Sequence, residues 1–306
     1  MPSASLLGKN MRVLPGPAVA GPIIVPAIPQ KPNAPAGWPN RRRHHKRKKS
    51  ILFVADASSG VLMYNPNTVN GSPIGSITTG VDAPSQVAVD KSGTLYVTNA
   101  GNNTLTVYPK GQSSPSLTIS NGISGPYGVG VDSKGNVFVS NLNNSTITGY
   151  ATGSTTPYET INFAPYGQPV GVGIDASDNV WVASDTHNTV FEIPAGSTHV
   201  KSETLLSLNG PIGVSFGNND IIYISNFSNS NVTVYKYGAT SPFETITAGI
   251  EMFGPTLNGF TASDMFFQSN ENDNVVGYKK GATSPFSTLS GATTPLGIAS
   301  EPLVSK

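Results

Sequence analysis

Residues able to perform acid–base, nucleophilic or metal chemistry are scarce in this sequence. Beyond residue 50 the chain has two histidines, His187 and His199, and the whole chain contains no cysteine. Thiolate nucleophiles, zinc–thiolate sites and disulfides are therefore excluded. No G-x-S-x-G motif occurs, so the pattern that would place a serine nucleophile on an elbow turn is absent as well.

A side-chain amide or carboxylate recurs along the chain at intervals of 41 to 44 residues. Oxygen ligands of this kind suit a divalent cation such as calcium, and a metal site would use the carboxylates of Asp56 and Asp185. The alternative is structural, because an Asn or Asp side chain before a turn bonds the turn backbone. Recurrence in every unit favours the structural interpretation, so no cofactor is expected unless the metal site exists. The six positions are Asp56, Asn99, Asn141, Asp185, Asn226 and Asn270.

The elements that must position these residues are repeated units, each opened by a proline. The prolines are 40 to 44 residues apart, and each is followed by similar text, such as PYGVGVDSKGNVFVSN. Alternation at period two with β-branched and aromatic residues predicts strands, four to a unit. An Asp-x-x-Gly between the first two runs, as at Asp90 to Gly93, predicts a tight hairpin. The opening prolines are Pro84, Pro126, Pro169, Pro211, Pro255 and Pro295.

Four short strands repeated at this period indicate the blades of a β-propeller. Residues 84–294 hold five complete units, residues 51–83 lack a first strand, and residues 295–300 supply one. We therefore predict an all-β fold over residues 51–306, a six-bladed propeller of four-stranded antiparallel blades. Strands from the two ends should close one blade, which removes an open sheet edge.

The composition agrees with this fold and divides the chain near Ser50. Gly and Pro number 33 and 25 while charged residues make up 11%, which excludes a helical bundle. Residues 1–50 carry ten Lys or Arg, nine prolines and no acid, a charge of +10, against −9 for the rest. A basic, Pro-rich head of this kind cannot form a core and is predicted to be disordered.

The head offers weak signals for a partner or an address. The run Arg41–Lys49 could contact nucleic acid or an anionic membrane, but the absence of aromatics and helical periodicity favours a solvated linker. Prolines interrupt the apolar segment 13–28, so no transmembrane segment is predicted. Ala18-Val19-Ala20 matches a signal-peptide cleavage pattern, although the apolar run before it is short and Pro-rich. We expect a monomer exported from a bacterial cell, because the body is acidic and free of Arg.

The repeat P-x-G-V-x-V-D-x-x-G-x-V-x-V-S-N…N-x-I-x-x-Y resembles the NHL repeat, within the wider TolB-like group of six-bladed propellers. The resemblance covers residues 51–306 and implies the fold. It leaves function open, because such propellers include binding scaffolds, extracellular sensors, metal-dependent lactonases of the gluconolactonase type and lyases similar to virginiamycin B lyase. The metal segment of the lactonases and the channel histidine of the lyases have no match here.

Function is expected where the repeat is broken, on the face of the ring at the channel mouth. Gln86 replaces the glycine of the repeat, and Asn258 replaces the valine that follows it. Tyr127, Phe163 and Tyr166 are expected to form an aromatic rim suited to a small apolar or sugar-like ligand. The candidate ligand-binding residues are Gln86, Tyr127, Tyr166, Glu251, Phe253 and Asn258.

Three functions follow from these observations. The first is a non-enzymatic binding or scaffold module that presents the channel mouth to a small ligand or a protein. The second is a divalent-metal-dependent lactonase, hydrolase or lyase. In the third, the basic head contacts nucleic acid or an anionic membrane while the propeller recruits another partner.

Limited proteolysis tests the division at Ser50. We expect trypsin to remove the head quickly and to leave a stable fragment that begins near Ser50, measured by mass spectrometry. The body has eight Lys and no Arg, so a less selective protease serves as the control. Protection of Arg41–Lys49 against both enzymes would show that this run belongs to the fold.

Overall fold

The computed structural model describes residues 50–203, 205–218, 221–251, 255–260, 265–270 and 273–301. The predictions for residues 1–49 lie outside these ranges. Short antiparallel strands dominate the described residues, as the alternating pattern predicts. In chain order they are β1 (Leu52–Asp56), β2 (Gly60–Tyr64), β3 (Gly75–Ile77), β4 (Pro84–Val89), β5 (Leu95–Asn99), β6 (Thr104–Tyr108), β7 (Leu117–Ile119), β8 (Pro126–Val131), β9 (Val137–Asn141), β10 (Thr146–Tyr150), β11 (Glu159–Asn162), β12 (Val172–Ile174), β13 (Val180–Ser184), β14 (Thr189–Ile193), β15 (Lys201–Glu203), β16 (Pro211–Gly217), β17 (Ile221–Asn226), β18 (Asn231–Lys236), β19 (Glu244–Ile246), β20 (Pro255–Phe260), β21 (Phe266–Asn270), β22 (Asn274–Tyr278), β23 (Ser287–Leu289) and β24 (Pro295–Ser300).

Within the described residues these strands form six four-stranded antiparallel sheets, which are the blades of a β-propeller. Blade A contains β24, β1, β2 and β3, and blades B to F take the following strands in groups of four. The predicted closure is confirmed: β24 pairs with β1, with Leu52 opposite Ser300 and Val54 opposite Ile298. The backbone N–H of Glu301 donates to the Ile51 carbonyl at 2.9 Å, so pairing extends one step beyond the strands.

The apolar core lies between neighbouring blades. Six buried clusters occur among the described residues, one at each blade interface. The cluster between blades F and A, for example, joins Phe267 and Val275 to Leu52 and Ile298. Because every blade buries both faces of its sheet in this way, the strands carry apolar residues on both faces near the axis.

A buried tyrosine near the end of the third strand connects each of five blades to its predecessor. The Tyr108 hydroxyl donates to the Thr79 carbonyl at 2.8 Å, and the Tyr150 hydroxyl donates to the Asn121 carbonyl at 2.7 Å. Burial raises the pKa of these phenols, that of Tyr64 to about 12. The remaining members are Tyr64, Tyr235 and Tyr278.

The hairpins between the first and second strands follow the predicted chemistry. The Gly93 N–H donates to the Asp90 carbonyl at 3.0 Å, and Gly93 has a φ of +89°. The Asp90 carboxylate accepts bonds from the backbone N–H groups of Ser92 and Thr94, both at 2.8 Å. The pattern repeats at Asp132 and Gly135.

Strand β24 is expected to hold the whole ring together. It lies against β20 and β4 as well as β1, so truncation after Thr294 should leave two inner strands without a neighbour. We expect a loss of more than about 4 kcal/mol in the free energy of unfolding, because buried packing and hydrogen bonds are removed together. Urea denaturation measures this, with truncation after Glu301 as the control. An unchanged urea midpoint in the shorter chain would contradict the role assigned to β24.

Candidate functional site: the channel mouth

The inner strands β4, β8, β12, β16, β20 and β24 surround a central channel, and all of them begin at the same face. That face, the mouth face, also carries the turns between second and third strands. The turn after Asn99, for example, bonds the loop before Pro84, since the Ala100 N–H donates to the Ala83 carbonyl at 3.1 Å. The opposite face carries the Asp-x-x-Gly hairpins and is called the far face.

Gln86 lies at the mouth end of the channel and connects three consecutive blades. Its side chain extends from blade B, where Nε2 donates to the Val172 carbonyl at 3.3 Å and Oε1 accepts from the Val129 N–H at 3.0 Å. These partners belong to blades D and C. Gln86 is only 6% exposed, and its two hydrogen bonds hold the inner strands of blades B, C and D together at the mouth.

A cavity of about 250 Å³ occupies the channel between Gln86 and the far face. Its described lining begins at Gln86 and continues along the inner strands, including Ala88, Gly130, Ser215 and Ala299. The channel is narrow because the inner strands approach closely. A Cβ on Gly297 would lie 2.5 Å from the Gln86 Cα, which explains the glycine that the repeat places here. The Gln86 side chain therefore forms part of the cavity wall at the end nearest the mouth face.

Asp56 is fully buried, and its carboxylate is used for structure. Oδ1 accepts from the backbone N–H groups of Ser58 and Ser59, at 3.1 and 2.8 Å. Oδ2 accepts from those of Thr293 and Thr294, at 2.6 and 3.0 Å. Both oxygens hold the turn after β1 and the loop before β24, which is the structural interpretation of this position.

The asparagines at the equivalent position also hold the neighbouring turn and loop, but an amide both donates and accepts hydrogen bonds. In blade B, Asn99 Nδ2 donates to the Thr106 hydroxyl at 3.0 Å, while Oδ1 accepts from the Asp82 N–H at 3.1 Å. In blade A the third strand has Leu62 in place of the threonine. An amide there would lack the hydroxyl acceptor that Thr106 supplies in blade B, whereas an acceptor-only carboxylate suits the four N–H donors present.

Asp185 does not occupy the position that the sequence spacing assigned to it. Strand β13 ends at Ser184, which is buried and donates its hydroxyl hydrogen to the Tyr166 carbonyl at 2.9 Å, whereas Asp185 is exposed in the turn. Blades A and D lie on opposite sides of the ring, so Asp56 and Asp185 are not brought together. The described residues include no group of three His, Cys, Asp or Glu side chains suited to a metal.

The aromatic rim is only partly present. Phe163 is fully buried in the core between blades C and D, where its ring lies 5.4 Å from that of Phe191. Tyr166 is half-buried and packs on the same Phe191 ring at 5.2 Å. Tyr127 is half-buried in β8, and its carbonyl accepts from the Thr98 hydroxyl at 2.9 Å. The exposed His187 lies beside this cluster, 6.5 Å from Phe191.

The candidate residues in blade F are described only in part. Asn258 lies in β20 opposite Gln268, and its side chain is outside the described atoms, as is the whole of Phe253. Glu251 is half-buried, and its Oε1 accepts from Asn274 Nδ2 at 3.0 Å. Glu251 is thus the candidate of this blade that the structure connects to a neighbouring turn.

The sequence reasoning missed a set of hydroxyls that precede the asparagines. The Thr98 hydroxyl of blade B donates to the Tyr127 carbonyl of blade C, and the Ser140 hydroxyl of blade C donates to the Val170 carbonyl of blade D at 2.5 Å. These two side chains connect the second strand of one blade to the residues that begin the next blade, whereas blades A and D have Ala55 and Ala183 at this position. The repeated Thr-Asn or Ser-Asn dipeptide at the ends of second strands was the signal that could have found them.

Solved structures similar to this chain confirm the propeller architecture. A chain from a nidogen/laminin complex matches with a TM-score of 0.71 and 13% identity, over 82% of this chain and 98% of that chain. A streptogramin B lyase matches with a TM-score of 0.59 and 14% identity, over 82% and 87%. A catalytically inactive virginiamycin B lyase from Staphylococcus aureus with quinupristin matches with a TM-score of 0.54 and 11% identity, over 76% and 74%.

At these identities the likeness shows the fold alone. No protein-family model matches the sequence, and a search of curated proteins gives no match. Over the part of the chain that the structure describes, no helix is long and apolar enough to cross a membrane.

The role of Asp56 leads to a test by substitution. Asp56→Asn should lower the free energy of unfolding by about 1–3 kcal/mol, because an amide nitrogen replaces an acceptor facing buried N–H donors. Asp82→Asn is the matched control, since it removes one negative charge from an exposed residue of the mouth face. Urea denaturation compares the two. Equal midpoints for both variants would contradict the structural role of Asp56.

Proposed function

We propose that this protein is a non-enzymatic binding module that presents its mouth face to a protein partner. The observation that carries the proposal is that Gln86, at the mouth end of the channel, is 6% exposed and uses both ends of its amide to bond blades C and D. The exposed turns of the mouth face are then the surface available to a partner. We also assign the repeats to the NHL type within the TolB-like propellers, on the sequence pattern.

Buried asparagines hold the loops and turns of the mouth face in place. Asn99, Asn141 and Asn226 each bond an N–H of the loop that enters their own blade, at 3.1, 2.9 and 3.2 Å. The tips of these turns, such as Asn102 and Asn143, are exposed. Turns that are already ordered lose little conformational entropy on binding, which favours recognition by a preformed surface.

The alternative is a divalent-metal-dependent lactonase or lyase at the mouth. The fold serves both kinds of protein and does not separate them. The polar groups at the mouth do bear on the choice, because Gln86 and Asp56 already bond backbone groups. A metal or substrate that used them would have to displace those bonds, which costs the desolvation of each buried N–H or carbonyl left behind.

Site-specific cross-linking tests the proposal. A photoreactive amino acid is placed either at Asn102 on the mouth face or at Lys91 on the far face, two exposed positions of the same blade. We expect partner adducts in an extract of the source cells from position 102 and few from position 91, measured by mass spectrometry. The two variants serve as matched controls, because each leaves the buried hydrogen bonds intact.

Two results would overturn the proposal. One is adduct formation from position 91 alone, which would place the partner on the far face. The other is a rise in melting temperature on addition of calcium or zinc that Asp56→Asn abolishes, which would favour the metal-dependent alternative.

A further inference from the structure

A second cavity lies between blades B and C, away from the mouth face. Its volume is about 450 Å³, within the range of sites that hold small molecules. The apolar part of its wall comes from Tyr96, Val107 and Leu117 of blade B and Val137 of blade C. Its polar part comes from the Asp90 hairpin of blade B and from residues 151–154 of blade C.

Blade B departs from blades C and F at two positions beside the cavity: it has Ser116 where they have an aromatic ring, and Val107 where they have Gly149 and Gly277. One position in each blade lies directly before the residues of the fourth strand that pair with the third strand. It holds an aliphatic or aromatic residue in five blades and Ser116 in blade B. The backbone role of the position is constant, since the Ser116 N–H donates to the Val107 carbonyl at 2.8 Å and the Tyr158 N–H donates to the Gly149 carbonyl at 2.9 Å. The five aliphatic or aromatic residues are Ile74, Tyr158, Val200, Phe243 and Phe286.

In blades C and F a partly exposed aromatic ring lies over the equivalent space, and Tyr158 is 53% exposed there. In blade C the Tyr158 ring packs edge-on against Phe138 at 6.5 Å and covers Gly149. In blade F the Phe286 ring packs edge-on against Phe267 at 6.3 Å. Tyr96 is the blade B counterpart of Phe138 and Phe267, but Ser116 supplies no ring to pack on it.

The cavity wall next to Asp90 is polar, so a ligand bound there would place a polar group at this end. Burial, together with the charges of Glu159 and Asp132, raises the pKa of Tyr158 to about 12. Asp132 is the counterpart of Asp90 in the hairpin of blade C. Although burial raises the pKa of Asp90, hydrogen bonds from Ser92 and Thr94 outweigh it and lower that pKa. The Asp90 carboxylate lines this end of the cavity, and its Oδ2 accepts a bond from the Tyr96 hydroxyl at 3.3 Å.

We propose that the cavity between blades B and C is a binding site for a phenolic ring. The ring would lie against Tyr96 and Val107, as the Tyr158 ring lies against Phe138, and its hydroxyl would donate to the Asp90 carboxylate. The phenol would come from a free small molecule or from the tyrosine side chain of a peptide. This site is separate from the mouth face and does not depend on the function proposed for that face.

Binding of p-cresol to the full chain tests the site, measured by ligand-observed and protein-observed NMR. Ser116→Phe should weaken p-cresol binding about tenfold or more, because the new side chain occupies the space of the ring. Ser116→Ala is the matched control and should leave the affinity unchanged. Toluene should bind more weakly than p-cresol, and Asp90→Asn should reduce that difference.

The readouts separate the sources of the phenol and guard against misfolding. Tighter binding of N-acetyltyrosinamide than of p-cresol indicates a peptide tyrosine, and the reverse order indicates a free phenol. The urea midpoint of Ser116→Phe should equal or exceed that of the unmodified chain; if this variant fails to fold, Ser116→Leu replaces it. Equal binding of p-cresol to the unmodified chain and the filled variant would overturn the proposal, as would no binding to the unmodified chain.

Discussion

Every blade of this ring depends on the blade at each side of it. A four-stranded sheet of about forty residues cannot bury both of its faces by itself, so the apolar residues of each second and third strand need a neighbouring blade. The ring supplies that neighbour everywhere only if its two ends meet, which the pairing of β24 with β1 achieves. The polar bonds that cross between blades, from tyrosine hydroxyls and from Thr98 or Ser140, act on an arrangement already set by this packing.

Polar groups near the axis illustrate the same dependence on neighbours. The inner strands are so close that glycine is the common residue at the third position of the unit, and Gln86 is accommodated because its amide finds partners on two other blades. Asp56 follows the same rule, since its carboxylate meets four backbone N–H donors and no acceptor. Gln86 and Asp56 have side chains that could take part in chemistry, but the backbone groups around them use those side chains to hold the fold.

The period of the repeat was enough to predict the strands, the blade count and the closure, because period-two alternation and turn residues report directly on backbone conformation. Side-chain direction at the mouth was harder. The pairing of β4 with β5 shifts register between Pro84 and Val87, and a bulge of this kind re-aims a side chain. Alternation therefore could not show that the Gln86 side chain bonds blades C and D. Asp185 was displaced by one residue because Ser184 and Asp185 are both plausible ends for β13. Phe163 was placed on the surface although a one-turn helix at Ala164–Tyr166 turns it into the core.

The position of β24 in the chain has a consequence for synthesis on the ribosome. At about 5–20 residues per second, the segment that completes blade A emerges roughly 12 to 50 seconds after the first strands. During that interval β1 presents an unpaired edge, which invites pairing with other nascent chains. A chaperone that shields β1, or a slow translation rate that lets blades B to F assemble first, would thus affect the yield of native protein more than the stability of the finished ring does.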